Sequence, residues 1–167
     1  MNRLIIMRHA EAGRAPTGQG DRERPLTERG VADARAMGRW LAGRGLAPDG
    51  ACVSPARRTR QTWDHASATF GDADLDCDEN LYDAGPDTLR RAVDGAVERA
   101  GVFMLVAHNP GVHALSLDLL AEGRAAPADV DRLQRGFPPG AVSVFRRDGD
   151  RWTFEAFWTP ADIEALP

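Results

Sequence analysis

Three short apolar runs in this chain each end in a cation or an imidazole, and that repetition constrains the fold more than any other feature. Leu4-Ile5-Ile6-Met7 leads into Arg8-His9-Ala10-Glu11. Ala51-Cys52-Val53 leads into Ser54-Pro55-Ala56-Arg57-Arg58. Val102-Phe103-Met104-Leu105-Val106-Ala107 leads into His108-Asn109-Pro110. Short unbroken apolar runs read as strands buried on both faces. A buried strand has no use for an ionisable group unless its end opens onto a site. The three ends therefore predict one shared anion-handling site.

The intervening segments carry helical grammar. Thr27 is a candidate N-cap for a helix reaching about Arg44, with Val31, Ala34, Met37, Gly38 and Leu41 on one face. Ser54-Pro55 and Asn109-Pro110 each read as a cap plus a first-turn proline. They open a second helix and a fourth helix that runs to about Glu122. Pro86 to Ala100 reads as a third amphipathic helix with Leu89, Val93, Ala96, Val97 and Ala100 inward. Gly13 to Pro25 is a long loop, Leu75 to Leu81 a weak edge strand or extended loop, and Gly123 to Gly140 irregular or partly helical. Ala141 to Arg146 and Trp152 to Trp158, separated by Asp148-Gly149, read as a closing hairpin. The order β-α-β-α-(β)-α-β-α-β-β predicts an α/β class: a three-layer α/β/α sandwich with a mostly parallel central sheet. The 167 residues suit one domain, 1–167. Ligands of such sheets bind beyond the carboxyl ends of the strands, where the Arg and His residues stand.

Composition narrows the partners. A net charge of -4 gives no global pull toward nucleic acid or an anionic membrane, so the arginines act locally. The basic residues are all arginine. Cys52 and Cys77 form no disulfide framework, which points to a reducing compartment. Met1-Asn2-Arg3 precedes too short an apolar run for a signal peptide, and no stretch approaches the ~20 apolar residues of a membrane span. A cytoplasmic monomer is the expectation.

The chemistry follows from residue types. Arg8 and Arg58 offer forked donors suited to phosphate. Arg58, in the first turn of its helix, leans back over the strand end. A neutral imidazole accepts a phosphoryl group, and neighbouring arginines disfavour the imidazolium, so His9 is a candidate nucleophile. His108 is the second imidazole, clamping the phosphoryl group or trading a proton. His65 and His113 read as packed or surface residues, and Arg57 and Arg60 as helix-surface cations. Trp152 and Trp158 read as core or sheet-face residues. Arg14, Arg22 and Arg24, in the 13–24 loop, either remain solvated or help to hold an acidic partner.

These residues resemble the histidine phosphatase (phosphoglycerate mutase-like) superfamily. Arg8-His9-Ala10-Glu11 is similar to its Arg-His-Gly signature, and Arg24-Pro25-Leu26-Thr27-Glu28-Arg29-Gly30 to its Pro-Leu-Thr-x-x-Gly segment. Ser54 to Thr62 resembles the second-arginine motif, with Arg58 in the catalytic slot. Val106 to Gly111 resembles the second-histidine motif, and Pro138-Pro139-Gly140-Ala141 the turn into the late strand. Short length and the Ser-Pro and His-Asn-Pro variants are similar to the SixA-like branch. The resemblance implies a phosphatase with His9 as the phosphorylated nucleophile and Arg8, Arg58 and His108 completing the pocket. It implies no metal and no organic cofactor.

Ala10 departs from the usual glycine. The proton donor of larger members has three candidates here: Asp83, Glu11 and Asp21. An imidazole leaving group lessens the need for a strong acid. The expected substrate is phosphohistidine on a partner protein, such as a histidine phosphotransfer domain, because so short a chain leaves no room for a lid. The alternatives are a small-molecule phosphomonoesterase, a mutase and an inactive phospho-residue binding module. A metallohydrolase using His9, Glu11 and His108 conflicts with the adjacent arginines.

Overall fold

In a computed structural model describing residues 3–96, 99–123 and 125–165, the three apolar runs are neighbouring strands of one sheet. They are β1 (Arg3–Arg8), β2 (Gly50–Val53) and β4 (Val102–Ala107); β3 (Asp74–Cys77) is a short, exposed edge strand. The hairpin supplies β5 (Val142–Asp148) and β6 (Arg151–Trp158). The order is β3-β2-β4-β1-β5-β6. Pairings β2·β3, β2·β4 and β1·β4 are parallel, whereas β5 runs antiparallel to β1 and β6. The sheet is thus mixed and mostly parallel. Because β2, β4 and β1 are adjacent and parallel, their carboxyl ends lie side by side.

Strand alternation divides the core between two layers of helices. Leu4, Ile6, Phe103 and Leu105 face α3 (Pro86–Ala96), α4 (Gly111–Glu122) and α5 (Pro127–Gln134), packing with Leu89, Leu115 and Leu133. Ile5, Met7, Met104 and Val106 face the other way. They meet Met37 and Leu41 of α1 (Glu28–Ala42), Trp63 of α2 (Arg57–Ala66) and Ile163 of α6 (Pro160–Glu164). Each fully buried Leu, Ile or Met contributes about 2 kcal/mol of burial free energy. Cys52 joins the first face as a core residue, and both cysteines are free. Trp152 is buried and Trp158 half-buried.

Thr27 caps α1 as its position predicts, its side chain accepting from the Gly30 N–H. The other two predicted caps are corrected. Ala56 is the N-cap of α2 and Pro110 that of α4, and neither Ser54 nor Asn109 caps its helix. Both side chains have other partners, described below; α2 starts two residues later than predicted and α4 one. The segment predicted as irregular or partly helical contains α5. A terminal helix that periodicity did not suggest, α6, starts in a capping box between Thr159 and Asp162. The predicted inward position of Val97 lies outside the described residues. Among the described residues no helix is long and apolar enough to cross a membrane.

Candidate active site

β1 stops at Arg8, and the break lets two consecutive side chains serve one place. In a regular strand successive carbonyls point in opposite directions. Here the carbonyls of Arg8 and His9 both accept from the Gly140 N–H, at 3.3 and 3.1 Å. The segment beyond is pinned from two helices. The Ala10 N–H donates to Thr62 Oγ1 of α2 at 3.0 Å, and the Glu11 carbonyl accepts from the Thr27 N–H at 3.0 Å. The extra methyl of Ala10 is fully buried in a niche with Leu26 and Ala34, so it packs rather than obstructs. The Arg8 guanidinium is oriented by its Nη1, which donates to the Phe137 carbonyl at 2.9 Å.

His9 Nδ1 lies 2.8 Å from the Ala10 carbonyl oxygen. A carbonyl can only accept, which places the proton on Nδ1 and the lone pair on Nε2. The His9 and His108 ring centroids are 5.4 Å apart. Ser54 Oγ and His108 Nε2 are 2.7 Å apart, so Ser54 orients the second imidazole from the end of β2. Asn109 Nδ2 donates to the Phe137 carbonyl at 3.1 Å. The two expected helix caps are thus site residues.

Arg58 is buried, with 4% exposure, and its charge is answered from the 13–24 loop. Its Nη1 donates to the Asp21 carbonyl at 2.9 Å and its Nη2 to Asp21 Oδ2 at 3.0 Å. The Tyr82 hydroxyl donates to the same Oδ2 at 2.7 Å, and the Tyr82 ring stands edge-on to His108 at 5.6 Å. Of the three acids weighed from the sequence, only Asp21 joins the four pocket residues. The Tyr82 hydroxyl, with Arg58 and Arg24, holds its carboxyl below the usual range. It is therefore an ionised counter-charge with no proton to give at neutral pH. Glu11 accepts from Thr27 Oγ1 at 2.7 Å, turned toward the α1 cap. Asp83 is exposed, at φ 50°. Among the described residues, no three His, Cys, Asp or Glu side chains gather into a metal-binding group.

The remaining cations have plain placements. Arg22 pairs with Glu79 and lies over the Tyr82 ring at 4.7 Å. Arg24 folds onto the Gly13 and Ala12 carbonyls and Asp21. Arg14 and Arg60 are exposed and Arg57 is half-buried. His113 is half-buried, with Nε2 2.7 Å from the Leu133 carbonyl. Ser54, Tyr82 and Asn109 are the site residues that sequence reasoning missed. Ser54 had a signal, since it follows β2 as His9 and His108 follow their strands.

Burial, and then the charges of His108, Arg58 and Arg8, push the His9 imidazole down to about 3 against the opposing hydrogen bond to Ala10. Burial and the same two arginines bring His108 down to about 4. Both rings are neutral at pH 7, the state in which Nε2 of His9 is a nucleophile. An unfolded histidine titrates near 6.5. Between that pH and the folded values the unfolded chain binds protons that the folded chain refuses, so stability falls as pH falls. From pH 6.5 to 5, above most carboxylate titration, the loss is expected to be at least about 1 kcal/mol for each histidine. Urea unfolding of the native chain and of His108→Gln checks this: the variant's pH slope should be shallower. Equal slopes would place the acid sensitivity elsewhere.

The profile of the histidine phosphatase superfamily (branch 1) matches residues 4–88. An uncharacterised protein of Mycobacterium tuberculosis is 32% identical over 143 residues, covering 86% of this chain and 88% of its own. A SixA protein from Agrobacterium tumefaciens, provisionally assigned as a phosphohistidine phosphatase, superposes with TM-score 0.82 at 28% identity, covering 95% of this chain and 99% of its own. A second, from Nakamurella multipartita and likewise provisional, gives 0.83 at 29% identity, covering 95% and 96%. The protein histidine phosphatase SixA complexed with tungstate shares the fold, with TM-score 0.76 at 23% identity over 96% and 99% of the two chains. Strand-end imidazoles, a buried arginine and a profile match spanning β1 to the start of α3 agree: the chain belongs to the histidine phosphatase superfamily, in its SixA-like branch.

Proposed function

We propose that this protein is a phosphatase that passes a phosphoryl group through His9, with phosphohistidine on a partner protein as its substrate. The observation that carries the reading is the state of His9: neutral, its proton held at Nδ1 by Ala10, its Nε2 lone pair free beside two arginines. In the first step Nε2 attacks phosphorus in line, and the P–N bond to the substrate imidazole breaks. The electron pair goes to the departing nitrogen, which takes a proton from water. In the second step water attacks phosphorus, the His9 P–N bond breaks, and inorganic phosphate leaves. Arg8 and Arg58 neutralise charge on the phosphoryl oxygens, and His108 holds one of them. No step calls for a metal or an organic cofactor, because the two guanidiniums already supply the positive charge.

A protein substrate is favoured because Asp21, the only acid at the pocket among the described residues, is ionised. A phosphoester needs a proton on a poorer leaving group, whereas imidazole leaves more readily. The site lies on one sheet, which supports reading the chain as one domain. The test compares turnover of a phosphohistidine-bearing phosphotransfer domain with that of a panel of small phosphoesters in excess chelator. At least a tenfold preference for the protein is expected, about 1.4 kcal/mol in transition-state binding, with mass spectrometry placing the trapped phosphoryl group on His9. Preference for an ester would favour the phosphomonoesterase, and activity lost to chelator would remove the metal-free mechanism.

A further inference from the structure

Beside Arg8 the surface opens into a wide groove of about 600 Å³. Its inner wall is Arg8 and Asn109, the sequence neighbours of His9 and His108. Its floor includes Phe137 and Phe157, buried rings in edge contact at 5.2 Å. Its outer rim carries Arg132, in the last turn of α5, and Arg135, at the α5 C-cap, both exposed. The groove therefore starts at the phosphoryl-handling residues and ends in cations.

Charge around the site is unevenly answered. On the Tyr82 side, Arg22, Arg24 and Arg58 have Glu79 or Asp21 as partners. On the groove side, Arg132 pairs with Asp162 at 2.6 Å. Among the described residues Arg135 has no carboxylate partner, and Arg8 is bound only to a neutral carbonyl. The unpaired guanidinium of Arg135 on the rim, beside Arg132, suits an extended acidic segment, whose carboxylates match it. The groove's open mouth and exposed rim suit a segment on another protein better than an enclosed metabolite.

We infer that this groove docks an acidic segment of the phosphoprotein substrate, with Arg135 setting partner choice. This rests on the phosphohistidine reading above. Complementary rim charge acts mainly on encounter, so the effect belongs in kcat/KM and in its salt dependence. The segment Arg135 to Pro138 lines the groove, and Phe137 within it and Gly140 just beyond it hold Arg8 and His9. Docking there places the partner against the same backbone that aims the pocket.

The experiment measures Arg135→Glu and Arg135→Gln on a phosphohistidine-bearing phosphotransfer domain and on the small molecule phosphoramidate. Arg135→Glu should lower kcat/KM on the protein about tenfold at low salt, with Arg135→Gln between it and the native chain. Phosphoramidate turnover should not change, and the native chain should lose more protein turnover with added salt than Arg135→Glu does. Unchanged protein turnover in Arg135→Glu overturns the docking groove and leaves the phosphatase reading standing. An equal loss on phosphoramidate also overturns it, since Arg135 would then act at the phosphate. So does a loss confined to a small bisphosphorylated ester, which would make the groove a metabolite subsite. If the native chain turns over phosphoramidate but not the protein, the substrate reading fails first and the groove with it.

Discussion

His9→Ala is expected to reduce turnover by about 10⁵-fold while leaving oxyanion binding within a few-fold of the native chain. The two effects separate because different groups carry them. His9 supplies the Nε2 lone pair, and no other imidazole can replace it: His108 has Nε2 engaged with Ser54 and reaches the site from a different strand. In the proposed mechanism oxyanion binding resides in Arg8 and Arg58, both fixed by contacts that do not involve His9. Arg8 is held by the Phe137 carbonyl and Arg58 by Asp21. Calorimetry with phosphate or tungstate reports binding, and phosphoramidate hydrolysis reports turnover. His108→Ala should cost less, on the order of 10² to 10³, because it removes one stabilising contact and leaves the covalent route. A His9→Ala protein that still turns over at a tenth of the native rate would mean that water attacks directly. Loss of oxyanion binding in His9→Ala would mean that the ring, rather than the guanidiniums, holds the pocket together.

The three strand ends were legible because a buried strand tolerates no unexplained charge, and their adjacency follows once β1, β2 and β4 pair side by side. The partners of those residues were not legible, because they come from distant segments. Asp21 meets Arg58 across 37 positions, from a loop whose sequence shows only glycine, proline and charge. Ser54 and Asn109 were misread as caps for a local reason. A Ser-Pro or Asn-Pro pair fits a helix start, and only the true start, two residues later in α2 and one in α4, frees the side chain for the site. The edge strand β3 was ambiguous because every one of its residues is exposed, which removes the alternation that marks a strand. Asp83, one of three candidate acids, had sequence position in its favour, but it projects from a surface turn. The terminal helix α6 did have a signal, Thr159-Pro160-Ala161-Asp162, a cap with an acid three residues on.

Gly30→Ala is expected to destabilise the protein by about 3 kcal/mol or more and to slow the enzyme that remains folded. A methyl at this position would stand 2.1 Å from the Glu11 carbonyl oxygen and 3.0 Å from the Glu11 carbonyl carbon and nitrogen. An ordinary carbon–oxygen contact is about 3.3 Å, so the overlap exceeds ~1 Å. Every atom met is backbone, and none is free to retreat. The Glu11 carbonyl accepts from the Thr27 N–H, Thr27 caps the same helix through the Gly30 N–H, and Thr62 holds the Ala10 N–H. The methyl therefore has to lift either the first turn of α1 or the His9-Ala10-Glu11 segment. Overpacking of this kind reaches about 3 kcal/mol, a large part of the roughly 5–15 kcal/mol that holds a domain folded. For a chain of this size the midpoint should fall by about 6–12 °C. Gly95→Ala is the matched control: it lies within α3, and a methyl there meets nothing within 4 Å. That change should stabilise by about 0.5–1 kcal/mol, since only helix propensity is altered. The same displacement reaches the proposed chemistry, because Glu11 is two residues from His9. A shift of about 1 Å at His9 can cost roughly 10² in turnover. Urea midpoints and phosphoramidate rates below the unfolding range separate the two effects. If Gly30→Ala and Gly95→Ala prove equally stable and equally active, the contact between α1 and the β1 exit does not position His9.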